Sequence, residues 1–170
     1  RQARDLLAAI ARGVEIDPDL VALSTEQIDA GLGAQDAAVR LAAVRAFGRA
    51  SPRDLAARKT RLASALTDSD PAIRAAAVGA VLDTLASPQL LMQECRAHLA
   101  DASPRVRLAA LAKLIPARWG NEAAALVVER LPDPDPQVRR LAAARLGENA
   151  EGSWRALGVR PEGGAAGLAA

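Results

Sequence analysis

Residues 131–146 read LPDPDPQVRRLAAARL, and the pattern of this segment occurs four times in the chain. The other copies are LADASPRVRLAALAKL at 99–114, LTDSDPAIRAAAVGAV at 66–81 and LGAQDAAVRLAAVRAF at 32–47. The last copy is the weakest, because alanine replaces both its first aspartate and its proline. The shared arginines of these Val-Arg segments are 34, 33 and 32 residues apart. A fixed period within about 20–50 residues is typical of a stacked repeat array.

The spacing of apolar residues inside one copy predicts an α-helix. Val106, Ala110, Leu111 and Leu114 recur at helical intervals and therefore share one face. A proline begins most of these helices, at a position where its missing N–H costs no hydrogen bond. Each unit is thus predicted to be a helix, a tight turn and a second helix. The expected N-caps are Asp36, Asp70, Ser103 and Asp135.

This pattern resembles the HEAT repeat family, in particular its short variety named after the phycobilisome lyase HEAT-like repeats. The residues that carry the resemblance are Asp68, Pro71, Ile73 and Arg74; Asp101, Pro104, Val106 and Arg107; and Asp133, Pro136, Val138 and Arg139. The resemblance implies an all-α fold, a right-handed α–α superhelix of about four helix pairs. The signatures of ankyrin and TPR repeats, which have similar periods, are missing, since the chain has no Thr-Pro-Leu-His string, no Tyr and one Phe.

The domain organisation follows from the extent of the repeats. Residues 1–159 are expected to form one HEAT-like domain, because 170 residues suit a single domain. Within it, residues 1–31 are interpreted as a degenerate N-terminal cap, 32–148 as the repeats and 149–159 as a C-terminal cap. The glycine-containing residues 160–170 are expected to be a flexible tail.

Some boundaries are predicted in more detail. The spacing of residues 24–27 predicts a capping box at the start of a short helix. One continuous helix is expected over residues 51–67. The third Val-Arg helix is expected to run from 104 to 117, with Pro116 near its end. A turn at 119–121 then leads into the next helix.

The resemblance also gives the repeated arginines a structural role. In HEAT proteins the equivalent arginine and the turn aspartate hydrogen-bond within and between repeats. A charge held along a repeat stack needs such a partner, because its desolvation would otherwise cost several kcal/mol. A basic row that binds phosphate is the alternative interpretation. We call this set the ladder: Arg40, Asp68, Arg74, Asp101, Arg107, Asp133 and Arg139.

A candidate binding surface comes from the same family, whose second helices line the concave side of the array. The variable polar positions of the Val-Arg helices hold more basic than acidic residues. Two interpretations stay open: ordinary solvated charge, or a groove for an acidic peptide or a nucleic-acid backbone. The candidate residues are Arg45, Arg49, Asp83, Lys113, Arg140 and Arg145.

The amino-acid composition limits which functional classes remain open. Aromatic residues make up 2% of the chain and the formal net charge is +2, so a base-stacking, strongly basic groove is disfavoured. One cysteine permits no internal disulfide. No apolar run is long enough to span a membrane, and no secretory signal is visible. We therefore expect a cytoplasmic protein without membrane contact, and a monomer is favoured. Cys95 and His98 lie three residues apart, and we interpret them as a buried thiol beside an edge histidine.

The function expected from these observations is a non-catalytic scaffold or adaptor that binds a protein partner in its concave groove. No catalytic, metal or cofactor motif is visible, so no cofactor is expected. Three alternatives stay open: a bilin lyase-like protein, a nucleic-acid-binding HEAT-like protein, and a regulatory module of a larger enzyme. The chain begins with Arg1 and not Met, which favours a processed or trimmed piece.

Overall fold

Every regular element in residues 24–50 and 55–147, the part of the chain that this computed structural model describes, is an α-helix. The all-α prediction is therefore confirmed for these residues. The side chains of residues 49 and 50 are not described. The expected C-terminal cap and tail, and most of the expected N-terminal cap, lie outside the described residues.

The helices follow one another with short connections. They are α1 Thr25–Leu32, α2 Ala37–Ala50, α3 Leu55–Arg61, α4 Ala63–Leu66, α5 Pro71–Leu82, α6 Pro88–His98, α7 Pro104–Leu111, α8 Pro116–Val128 and α9 Pro136–Gly147. None of these helices is long and apolar enough to cross a membrane.

The four predicted N-caps of the Val-Arg helices are present. The carboxylates of Asp36, Asp70 and Asp135 each accept a hydrogen bond of 2.8 Å from the backbone N–H two residues ahead. Ser103 Oγ accepts a longer one of 3.3 Å in the same way. The side chain of Ser24 opens α1 in a complete capping box. These contacts satisfy N–H groups that a helix start leaves without an internal partner.

The helix expected over residues 51–67 differs in its described part. It is broken at Leu62, whose φ of −91° and ψ of 6° are not helical, giving the short helices α3 and α4. Leu62 is fully buried and Ala65 is 3% exposed. The buried position of Leu62 agrees with its helical spacing, whereas the break was not predicted from that spacing.

Pro116 corrects a second prediction. It begins α8 instead of ending α7, which stops at Leu111. Ile115, the residue before it, is extended with φ −113° and ψ 100°, as expected where a proline ring disfavours helical backbone in its predecessor. The turn expected at 119–121 appears as a kink inside α8, where Gly120 has a φ of 75°. Only glycine adopts such a conformation without strain.

The chain divides into two compact units, residues 1–110 and 111–170. In the first unit α2 packs on α5 and on α1, and in the second α8 packs on α9. Alanines allow close packing in the first unit: a Cβ added to Gly48 on α2 would lie 3.4 Å from the Ala80 Cβ on α5. The single repeat domain expected from chain length stays a prediction.

Candidate functional site

The four Val-Arg arginines share one backbone contact. In each of them Nη1 donates hydrogen bonds to the two main-chain carbonyls six and five residues earlier, over 2.7–3.2 Å. The arginine thereby closes the turn that precedes its own helix. Its hydrogen bonds satisfy main-chain carbonyls that would otherwise lack a donor within the turn. The pairs of carbonyls belong to Ala34 and Gln35, Asp68 and Ser69, Asp101 and Ala102, and Asp133 and Pro134.

Two of these arginines also bind the carboxylate of the following turn. Arg40 donates from Nε and Nη2 to the Asp68 oxygens, at 2.7 and 3.1 Å. Arg74 does the same to Asp101, at 3.1 and 3.0 Å. Both pairs are bidentate, which is the strongest arginine–carboxylate geometry. Each aspartate also accepts from the N–H two residues ahead, at 2.9 Å for Asp68 and 2.7 Å for Asp101.

The remaining ladder residues are placed as follows. Arg107 is 8% exposed and Asp133 is 6% exposed, so both side chains are buried. The Asp133 carboxylate accepts from the Asp135 N–H at 3.0 Å, as its counterparts do in the earlier turns. Arg139 is exposed, but its Nη1 is held by its own turn. This geometry leaves the ladder arginines engaged with the protein itself and disfavours a phosphate-binding row.

The ion pairs shift the ionisation of their members. Hydrogen bonds from Arg40 lower the pKa of Asp68, and those from Arg74 lower the pKa of Asp101, each below the ordinary value of 3.8. Burial acts in the opposite direction in both cases but is the smaller cause. The same contacts raise the pKa of both arginines. The folded state therefore favours the charged form of each pair.

The lowered pKa values predict acid sensitivity. A carboxylate whose folded pKa lies below its unfolded pKa stabilises the fold fully above the unfolded value and ceases to do so as the pH falls through the folded value. We expect the urea concentration at the unfolding midpoint to decrease as the pH is lowered below about 4. In the double variant Asp68→Asn, Asp101→Asn the midpoint should be lower at pH 7 and should depend less on pH below about 4. Equal acid losses in both proteins would contradict this role.

An open cleft of about 820 Å³ lies on the first unit, and it is the candidate functional site. Helix α5 contributes most of the lining, with small side chains, while α2 and α7 contribute the rest. The lining residues are Val44, Arg45 and Gly48 from α2; Ala72, Ala75, Ala76, Gly79, Ala80 and Asp83 from α5 and its end; and Arg105 and Leu108 from α7. All three helices are Val-Arg helices, and the lining includes Arg45 and Asp83 from the predicted concave surface.

Exposed charges mark the cleft. Arg45, Asp83 and Arg105 are all exposed. The guanidinium groups of Arg45 and Arg105 make no hydrogen bond or ion pair with any residue in the described ranges. This distinguishes them from Arg40 and Arg74, whose donors are used inside the fold. Two cations in the cleft are thus available to a ligand.

A buried cation contacts a residue of the cleft lining. Arg58 of α3 is 3% exposed, and its Nη1 donates to the Ala80 carbonyl at 2.6 Å. Its guanidinium also lies 5.6 Å from the centre of the Phe47 ring. Burial lowers the pKa of Arg58, and the nearby charge of Asp83 acts against that change. The sequence analysis assigned no role to Arg58, because charged side chains are mostly exposed.

Gly79 leaves an unfilled space in the lining of the cleft. It lies inside α5, where glycine costs about 0.5–1 kcal/mol relative to alanine. A Cβ built on Gly79 would meet no atom within 4 Å, so no packing contact requires the glycine. Its backbone conformation is ordinary, since φ is not positive. The space beside the Gly79 backbone is therefore open.

The residues predicted for the concave surface do not all meet. Arg45 and Asp83 line the cleft, while the side chain of Arg49 lies outside the described residues. The other three belong to the second unit, where Arg140 is exposed and Lys113 is half-buried. Arg145 is also half-buried, and its Nη2 donates to the Ala112 carbonyl at 3.0 Å. Arg145 thus serves its own unit instead of facing solvent as predicted.

Arg105 is the cleft residue that the sequence analysis missed. It directly follows the proline of the third copy, a position that holds Ala38, Ala72 and Gln137 in the other copies. The signal that could have found it is therefore a charge at a position that is uncharged elsewhere in the repeat.

Neither Cys95 nor His98 lines the cleft. Cys95 is fully buried, with its Sγ 3.6 Å from the Ala110 carbonyl, which agrees with the inert thiol that we expected. Burial lowers the pKa of the half-buried His98. No group of three or more His, Cys, Asp or Glu side chains in these ranges is placed to hold a metal ion.

Comparison with known proteins bears on the fold alone. No protein-family model matches the chain, and no curated protein sequence matches it. The crystal structure of Cex1p is similar, with a TM-score of 0.64 and 22% identity, over 95% of this chain and 35% of that one. The chain thus spans about a third of the length of the Cex1p chain. At this identity the likeness describes a shared helical fold and not a shared activity.

Proposed function

We propose that this chain is a non-enzymatic scaffold, a right-handed α-solenoid of short HEAT-like repeats that binds a protein partner in the cleft between α2, α5 and α7. The observation that carries the proposal is Gly79, a helix-interior glycine that no packing contact requires, placed in the lining of an open cleft. A residue that weakens its own helix without a structural reason points to close approach by another molecule.

The repeat architecture is supported by the regularity of the ladder. Four turns share the same arginine-to-carbonyl contact, and two consecutive turns are joined by the same bidentate ion pair. Repeated units with equivalent contacts are the hallmark of a solenoid, whose exposed helices form extended binding surfaces. The single cysteine suits the reducing cytoplasm, which is the location we propose.

Gly79 offers a test in which loss of binding cannot be confused with loss of folding. Gly79→Leu should fill the cleft and, because leucine favours helix more than glycine, should raise the free energy of unfolding by about 0.5–1 kcal/mol. We expect affinity capture with the wild-type chain to recover a partner that Gly79→Leu no longer retains. Circular dichroism and urea denaturation would check the fold.

Gly79→Ala is the matched control for this test. It should gain similar stability while adding only one methyl group to the cleft, and it should retain most of the partner. Equal recovery of the same proteins by wild-type and Gly79→Leu baits would contradict the assignment of the cleft.

A further inference from the structure

We infer that the occupant of the cleft is an α-helix of a partner protein, with small apolar side chains on the face that meets α5 and acidic side chains beside that face. This inference rests on the proposed function and names the chemistry of the partner. Three properties of the cleft carry it: the row of small residues that α5 presents, two cations without a partner among the described residues, and the dimensions of the cleft.

The lining favours a helix over an extended peptide. Ala72, Ala75 and Ala76 present methyl groups, and the backbone of α5 is occupied by its own hydrogen bonds. An extended peptide lying along this row of alanines would leave N–H and C=O groups without partners there, which is costly where the contact excludes water. A helix satisfies its own backbone, so an apolar helical face can lie on the lining without that loss.

Gly79 sets how close the helix can come. With no side chain there, a backbone can approach α5 more closely than at any alanine of the same row. Close approach requires small residues on the incoming face as well, because a leucine or phenylalanine would hold the two backbones apart. The partner face is therefore expected to hold alanine, glycine or serine opposite Gly79.

The charge of the cleft selects the residues that flank this face. Arg45 comes from α2 and Arg105 from α7, so cations are supplied by both helices that accompany α5. Neither is neutralised within the described part of the chain. Glutamates or aspartates beside the apolar face would pair with them, and arginine binds carboxylates bidentately.

The same lining disfavours a nucleic acid. The described aromatic residues of the first unit amount to Phe47, which is 1% exposed and cannot stack on a base. Asp83 adds an exposed negative charge that would repel a phosphate backbone.

The size of the cleft matches a short helical contact. A helix with side chains, taken as a cylinder of about 10–12 Å diameter and 1.5 Å rise, occupies about 120–170 Å³ per residue. The 820 Å³ of the cleft then corresponds to about five to seven residues, or one and a half to two turns, of the bound helix.

The test uses two designed, covalently stapled helical peptides with the same alanine face. One has glutamates along both flanks of that face, and the other has lysines. Fluorescence anisotropy with the full chain should show binding of the glutamate peptide that weakens as salt increases, and at least about tenfold weaker binding of the lysine peptide. The variant Gly79→Leu should lose binding of the glutamate peptide, whereas Gly79→Ala should retain it.

A charge reversal separates this inference from the proposed function. The double variant Arg45→Glu, Arg105→Glu should prefer the lysine peptide, with unchanged circular dichroism. If capture of a partner depends on Gly79 but the glutamate peptide does not bind, or binds no better than the lysine peptide, the helix inference is overturned while the scaffold proposal stands. Tighter binding of a single-stranded oligonucleotide than of the glutamate peptide, abolished by Gly79→Leu, would also overturn it.

Discussion

Replacing Arg74 by alanine is expected to lower the free energy of unfolding by about 2–4 kcal/mol, which corresponds to about 5–15 °C in melting temperature for a chain of this size. The substitution removes two bonds to the Asp101 carboxylate and two to the carbonyls of its own turn. It also leaves Asp101, whose side chain is 21% exposed, without its cation. Partial exposure of the pair places the loss below that of a fully buried one.

Two control variants sharpen the measurement. Arg74→Lys keeps the positive charge but cannot reach a carboxylate and two carbonyls together, so it should recover only part of the loss. Arg96→Ala removes an exposed arginine from α6 and should change stability by less than about 0.5 kcal/mol. Thermal denaturation would compare the three, and an unaltered melting temperature for Arg74→Ala would show that the ladder does not stabilise the fold.

Phe47→Ala is expected to cost about 3–5 kcal/mol, the range for removing a buried aromatic side chain. Phe47 is 1% exposed on α2, and the guanidinium groups of Arg58 and Arg61 lie 5.6 and 5.5 Å from its ring centre. The truncation leaves a cavity and deprives the buried Arg58 of the ring that faces it. Both losses fall on the same part of the first unit.

The expected readout is a large drop in the urea midpoint. Leu90→Ala is the matched control, because Leu90 is 43% exposed and its truncation should cost little. Phe47→Leu should fall between the two, since it keeps the apolar contact and much of the volume. A loss no larger than that of Leu90→Ala would contradict the central position of Phe47.

The sequence predicts the helical class and the turn chemistry well, for a physical reason. Helical periodicity, proline at the helix start and Asp or Ser before it are local signals, and the caps at Asp36, Asp70 and Asp135 depend on neighbours two residues away. Pro116 is the exception. Proline suits both the first turn of a helix and the residues just after one, so its position alone did not decide which helix it belonged to.

What the sequence could not supply are contacts between distant residues. The burial of Arg58 accompanies its contacts with the Phe47 ring of α2 and the Ala80 carbonyl of α5, which local spacing does not encode. The candidate site was predicted in part for the same reason. Arg45 and Asp83 follow from the repeat pattern, whereas Arg105 contributes only because α7 lies beside the cleft.

The directional pairing of the ladder has a consequence for how such a chain could lengthen. Asp68 receives the side chain of Arg40, while its carbonyl serves Arg74, whose own side chain reaches forward to Asp101. If one full period were duplicated in phase, the aspartate of the new copy would receive the arginine of the preceding repeat. The arginine of the new copy would reach the aspartate of the following repeat. Tandem copying of whole periods therefore creates no orphaned charge, whereas an insertion of half a period would strand an arginine at one junction and an aspartate at the next.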